Sequence, residues 1–154
     1  MPAGYYFDPR LQDAALSRLT ARQIRSFPVA ETIARRRANY RSYLSALAAL
    51  PGATPLFPDL PADVCPLSMP VLVADRDRIA AQLQAQGIAA TPWWAGYHRG
   101  LDFSGQDEAC RLKDRVLALP CHQNLSEAAI RHICGALAGL LQDTGSRDRG
   151  ANRL

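Results

Sequence analysis

Hydrophobic and polar positions alternate along this chain in two distinct periods, and the periods divide it. From Pro9 to Arg25 the apolar residues Leu11, Ala15 and Leu19 recur at helical spacing, with Arg18, Arg22 and Arg25 grouped on another face. The pattern predicts a helix over residues 9–26, with Pro9 in its first turn. Phe27-Pro28 breaks it, because the residue before a proline resists helical angles. A longer helix is expected from Val29 to Leu50. Val29, Ile33, Arg36, Tyr40, Tyr43, Leu47 and Leu50 alternate steps of four and three, and Pro51-Gly52 stops the run.

After a proline-rich connection, GATPLFPDLPADVCP, the period falls to two. Leu67, Met69, Val71 and Val73 alternate as in a strand, and Pro66 and Pro70 place that strand at an edge or a bulge. Asp75 is the expected N-cap of a helix that turns Ile79 and Leu83 inward, with Asp77 in its first turn. Gly87-Ile88 reads as its glycine C-cap, and a second strand follows from Ile88 to about Trp93. A glycine-rich loop, AGYHRGLDFSG, leads to a short helix over 106–114. An apolar strand over 116–119 is closed by Pro120. Ser126 caps a last helix striped by Ile130, Ile133, Leu137, Leu140 and Leu141. The fold class expected is α+β: an N-terminal two-helix arm over 1–52, then a small, mainly antiparallel sheet packed with helices over 53–142. Residues 143–154 are expected to form a disordered tail.

Composition changes this picture little. The chain has 154 residues, 48% hydrophobic and 21% charged, which suits one ordinary domain. No apolar run approaches the roughly 20 residues of a membrane span, and the N-terminus lacks the layout of a secretory signal, so a cytoplasmic protein is expected. The net charge of +4 is local. Residues 10–41 hold eight arginines against Asp13 and Glu31. Arg35, Arg36 and Arg37 spread over about 200° of a helix circumference, so they make no single patch, and nucleic acid is not an expected partner. Arg36 falls inside the apolar stripe, where its stem packs while its head reaches a partner.

Candidate chemistry gathers in one place. Trp93, Trp94, Tyr97, His98, Arg99 and Asp102 lie within ten positions. Aromatic faces suit a sugar ring, and Arg99 suits a phosphate or carboxylate. The competing reading is that both tryptophans are structural. Cys121-His122 resembles a nucleophile and its base, but neighbours on extended chain point to opposite faces. Cys65, Cys110, Cys121 and Cys134 form no CxxC pair, and Cys121, His122, His132 and Cys134 lack the spacing of a metal knuckle. They are expected as buried free thiols and ordinary histidines. No residue is assigned a catalytic, cofactor-binding or metal role.

Taken in order, RRRANY, LPG, CPLSMPVLVADRDRIAAQL, GIAATPWW, YHRG and LALPCHQNLSEAAIRHI resemble the C-terminal small domain of the DegT/DnrJ/EryC1/StrS sugar aminotransferases. The resemblance covers roughly residues 10–140. It implies kinship with pyridoxal-phosphate enzymes of fold type I, whose large domain carries the cofactor lysine and the Asp that holds the pyridinium nitrogen. Lys113, the one lysine here, matches no such motif. The chain is therefore expected to bind no cofactor and to be inactive alone, as a separate frame, a truncated product or an excised piece. By the resemblance, Trp93, Trp94, Tyr97, His98 and Arg99 face the substrate. The expected partners are a large domain or full-length homologue, a second copy of the chain, and a sugar nucleotide. The alternative is a stand-alone interaction or nucleotide-sugar-binding module derived from that domain.

Overall fold

The computed structural model describes residues 9–93, Gly96 and 100–151, with the side chains of Leu11 and 143–151 outside that description. The chain divides into two compact units, Met1–Ala30 and Glu31–Leu154.

In the first unit the single helix expected over 9–26 is two pieces. Pro9–Leu11 form a 3-10 turn, and α1 begins only at Arg18 and runs to Ser26. Ser17 decides the start: it sits in extended backbone and its Oγ accepts the Thr20 N–H at 3.0 Å, an N-cap that closes the helix to residues before it. No residue of α1 is buried.

In the second unit a four-stranded sheet is ordered β1-β2-β4-β3, with every neighbouring pair antiparallel. The strands are β1 (Ala53–Pro55), β2 (Ser68–Val73), β3 (Thr91–Pro92) and β4 (Val116–Pro120). The helices are α2 (Val29–Leu47), α3 (Arg76–Ala85), α4 (Asp107–Arg115) and α5 (Glu127–Ala151). One face of the sheet carries Met69, Val71, Val73, Leu117 and Leu119. These join Tyr40, Tyr43 and Leu47 of α2, Ile79 and Leu83 of α3, and Ile130, Ile133, Leu137 and Leu140 of α5 in one core.

Several expectations need correction. Pro66 and Pro70 do not put β2 at an edge; it lies between β1 and β4. The Pro70 carbonyl accepts the Leu56 N–H at 2.9 Å, beyond the end of β1. In an antiparallel ladder a residue's N–H points the same way as its C=O, so the missing donor falls on the β1 side, where pairing has stopped. Leu67 is exposed although it shares the parity of Met69 and Val71, because β2 begins one residue later. The strand expected from Ile88 shrinks to Thr91–Pro92: Ala90 donates to the Ile88 carbonyl, and the Ala90 carbonyl accepts from Gln84 Nε2, so those groups are spent outside the ladder. Val29 and Ile33 of the α2 stripe are exposed. The last helix continues to Ala151, into the stretch expected as a tail.

Two caps behave as the sequence predicts. Gly87, at φ +78°, ends α3 in a Schellman arrangement: Ile88 N–H reaches the Leu83 carbonyl at 3.0 Å and Gly87 N–H reaches Gln84 at 2.9 Å. Ser126 Oγ accepts the Ala129 N–H at 3.1 Å at the start of α5. Asp75 holds the N-cap position of α3, but in the left-handed region and without a side-chain cap bond. Its carboxylate instead faces Arg78 Nε at 3.6 Å.

Candidate functional site

The face of the sheet opposite the core carries Ser68, Pro70 and Val116, and these floor a groove of about 570 Å³. Its wall is the connection before β2, through Leu56, Phe57, Leu60, Pro61, Val64 and Cys65, with Tyr40 and Trp93 completing the lining. Phe57, Val64 and Leu67 expose much of their surface at its mouth.

The connection is held against α2 by Arg36, Arg37 and Tyr40 of RRRANY. Arg37 Nη1 donates to the carbonyls of Pro61 and Val64, and Tyr40 Oη donates to the Phe57 carbonyl at 2.8 Å. Arg36 bridges Gln123 Oε1 at 3.0 Å and the Pro66 carbonyl at 3.2 Å, while Arg35 reaches the Leu125 carbonyl at 3.3 Å. Asn39 Nδ2 donates to the His122 carbonyl and Tyr43 Oη to that of Pro120, each at 2.9 Å. Consecutive residues on a helix point in different directions, so one helix ties down two separate loops. The arginine run is a set of backbone clamps.

Trp93 is the candidate residue that the structure places in the groove. Its N–H donates to the Val116 carbonyl at 3.0 Å, and its carbonyl accepts from Arg76 Nη1 at 3.2 Å. Trp94, Tyr97, His98 and Arg99 lie outside the described residues. Asp102, further along the loop, is turned onto its own chain: Oδ1 accepts the Ser104 N–H and Oδ2 the Ser104 hydroxyl, each at 2.8 Å. Those two bonds hold its carboxyl below the usual carboxylate range.

The cysteines do not all behave as buried thiols. Cys65 is exposed and Cys110 half-buried, while Cys121 and Cys134 are buried; all four are free. Burial pushes the Cys121 thiol up to about 11, against a smaller opposing pull from Arg36, and its Sγ donates to the Arg36 carbonyl at 3.5 Å. His122 is exposed, while Cys121 is buried. Among the described residues no three of His, Cys, Asp and Glu gather as a metal-holding group.

The sequence model of the DegT/DnrJ/EryC1/StrS aminotransferase family matches residues 14–138. The chain belongs to this family. A DegT/DnrJ/EryC1/StrS aminotransferase from Brucella abortus shares 26% identity with it at a TM-score of 0.58, over 72% of this chain and 31% of that one. The aminotransferase TlmJ from Streptoalloteichus hindustanus shares 24% at a TM-score of 0.63, over 81% and 35%. The Spr1654 protein of Streptococcus pneumoniae, in its PLP form, shares 19% at a TM-score of 0.65, over 81% and 34%. The chain thus spans about a third of the length of these aminotransferases. No curated protein matches it in sequence.

The groove does not fit pyridoxal phosphate. Lys113, the one lysine, lies on α4 with Nζ 5.4 Å from the centroid of the Phe103 ring. The groove lining contains no Lys, Arg or His to receive a phosphate.

Two parts of the site escaped the sequence reading. The proline-rich connection was expected only to link arm and body, yet it forms the groove wall. Leu56, Phe57, Leu60 and Val64 between its prolines were the available signal. Arg76 lies between Asp75, the expected N-cap, and Asp77 of the first turn. It is 4% exposed; its place three and seven residues before Ile79 and Leu83 puts it on the buried face of α3, which Arg78 does not share, and that spacing was the available signal.

Proposed function

We propose that this chain is the small domain of a pyridoxal-phosphate-dependent sugar aminotransferase, inactive alone and completed by a second body that supplies the cofactor lysine. The observation that carries the reading is the family match over 14–138 on about a third of the relatives' length, together with a sole lysine lodged over Phe103. In this reading the stretch from Trp93 through Trp94, Tyr97, His98 and Arg99 contributes to the substrate side of the cleft. Its aromatic faces meet a sugar ring and its cation meets the phosphates of a sugar nucleotide. The exposed apolar residues of α1 and of the groove mouth are surfaces for the second body or a second copy. The working compartment is the cytoplasm; among the described residues no helix is long and apolar enough to cross a membrane.

The test has two arms. The purified chain, incubated with pyridoxal phosphate, should develop no cofactor absorption that borohydride fixes to protein, and no transamination. A reducible adduct at Lys113 that supports turnover would falsify the reading. Titration with nucleoside diphosphate sugars, followed by tryptophan emission, should change the signal only after a large domain of the family is added. Tight binding by the chain alone would favour the stand-alone sugar-nucleotide module instead.

A further inference from the structure

Arg76 is the one buried charged residue among those described. Each donor of its guanidinium needs a partner once water is excluded. Asp77 Oδ1 accepts from Nε at 2.9 Å and forms an ion pair with Nη2 at 2.8 Å, with the Asp77 side chain itself in solvent. Nη1 is shared by the carbonyls of Trp93 and Lys113.

Those two carbonyls belong to the end of β3 and the end of α4. Trp93 directly follows β3, the last point where the chain pairs with β4 before leaving the sheet. Lys113 lies in the last turn of α4, where helix carbonyls run short of intrahelical donors and a cation is favoured. The chain between them holds Gly100–Phe103 and the start of α4, and it returns to the sheet at Val116. A second feature points to the same place. The residue before Arg76, Asp75, is held at φ +48°, and among the described residues it alone combines positive φ with a side chain. A non-glycine residue stays there only where its surroundings hold it.

We propose that Arg76 is a positioning residue: it ties the Trp93 carbonyl to the last turn of α4 and so fixes Trp93 in the groove. The clasp is built from α3, which contributes nothing to the groove lining. Its importance for function rests on the substrate-side reading of the loop given above; its mechanical role does not.

The experiment is segment-resolved amide hydrogen exchange on the full chain, comparing wild type with Arg76→Met and Arg76→Lys. Lysine keeps the charge but cannot bond Asp77 and both carbonyls at once. Peptides covering 100–113 should exchange about tenfold faster or more in both variants, the rate reporting local opening. Peptides from β2, β4 and the buried stripe of α5 should keep their rates. Acceleration spread evenly over all segments would make Arg76 an ordinary stabilising residue and overturn the proposal, as would unchanged exchange at 100–113. If Arg76→Met does not fold, Arg76→Lys decides alone by the same criterion. A parallel titration with nucleoside diphosphate sugars, in the presence of the large domain, separates the two readings. Weaker binding by Arg76→Lys is expected. Absence of binding by wild type would remove the substrate reading and leave the exchange result to judge the clasp.

Discussion

α1 and α2 invert what their sequences advertise. α1 is the more sharply two-faced: Leu19 and Ile24 lie on one side and Arg18, Arg22 and Arg25 on the other, yet none of its residues is buried. Leu16, Leu19, Ile24 and Phe27 are each at least half exposed. α2 has the blurred stripe, with Arg36 set among its apolar positions, and it buries Asn39, Tyr40, Tyr43 and Leu47. A hydrophobic stripe records a helix's demand for a partner. Whether the demand is met depends on what the rest of the fold brings to it. Around α2 the fold brings the sheet, α5 and a row of loop carbonyls that turn its arginines and tyrosines into clamps.

The comparison breaks first on the core. Leu137→Ala, at a fully buried position on α5, should cost about 2–5 kcal/mol in a denaturant titration, from lost transfer energy plus the cavity left behind. Leu19→Ala, which removes the same atoms from α1, should move the midpoint by no more than about 0.5 kcal/mol. Comparable losses at the two sites would mean that the exposed stripe of α1 is covered in solution.

Much of the second unit was legible before its structure was. Alternation gave β2, an apolar run closed by Pro120 gave β4, and the αL glycine with its following isoleucine gave the end of α3. Ser126 with the Ile130, Ile133, Leu137 stripe gave α5. These are local signals, in which a residue type and its spacing determine the geometry. What was not legible depends on non-local partners. Pro70 reads as an edge residue unless the shortness of β1 is known. Ile88 and Ala90 read as strand unless Gln84 is seen taking the Ala90 carbonyl. The groove is less legible still, because its floor and wall come from segments that look like strand, linker and loop. Of the candidate site, Trp93 was found by composition. Arg76 shares the helix face of Ile79 and Leu83, but an arginine in a first helical turn reads as solvated until the Trp93 and Lys113 carbonyls are seen to hold it.

A smaller effect distinguishes the core by pH. Burial raises Cys121 from its ordinary value of 9.0 to about 11, and it raises Cys134, Tyr40 and Tyr43 as well. The folded chain therefore holds these protons more tightly than the unfolded chain does. Their contribution is complete below the unfolded values and is lost as pH rises through the folded ones. Stability should fall between about pH 9 and 11, Cys121 alone accounting for on the order of 2 kcal/mol. Cys121→Ala should flatten part of that fall in urea titrations across the range. An unchanged slope would show that the thiol ionises in the folded state as readily as in the unfolded chain.

The finest test compares two caps of the same chemistry. Ser17 Oγ accepts the Thr20 N–H at 3.0 Å, and Ser126 Oγ accepts the Ala129 N–H at 3.1 Å. Removing either hydroxyl leaves one helix-terminal donor without its acceptor, a loss of about 1 kcal/mol to the helix concerned. Where that loss registers is what differs. α5 supplies Ile130, Ile133, Leu137 and Leu140 to the core, so Ser126→Ala should appear nearly in full in global unfolding. α1 is nine residues long with nothing buried, and a helix that short is marginal without packing. Ser17→Ala should therefore leave the unfolding midpoint unchanged and lower only the helicity of residues 18–26, read by nuclear magnetic resonance shifts. If Ser17→Ala instead shifts the midpoint as far as Ser126→Ala does, α1 is energetically coupled to the core. Its stripe would then have a partner, and the contrast between the two helices would be one of sequence pattern alone.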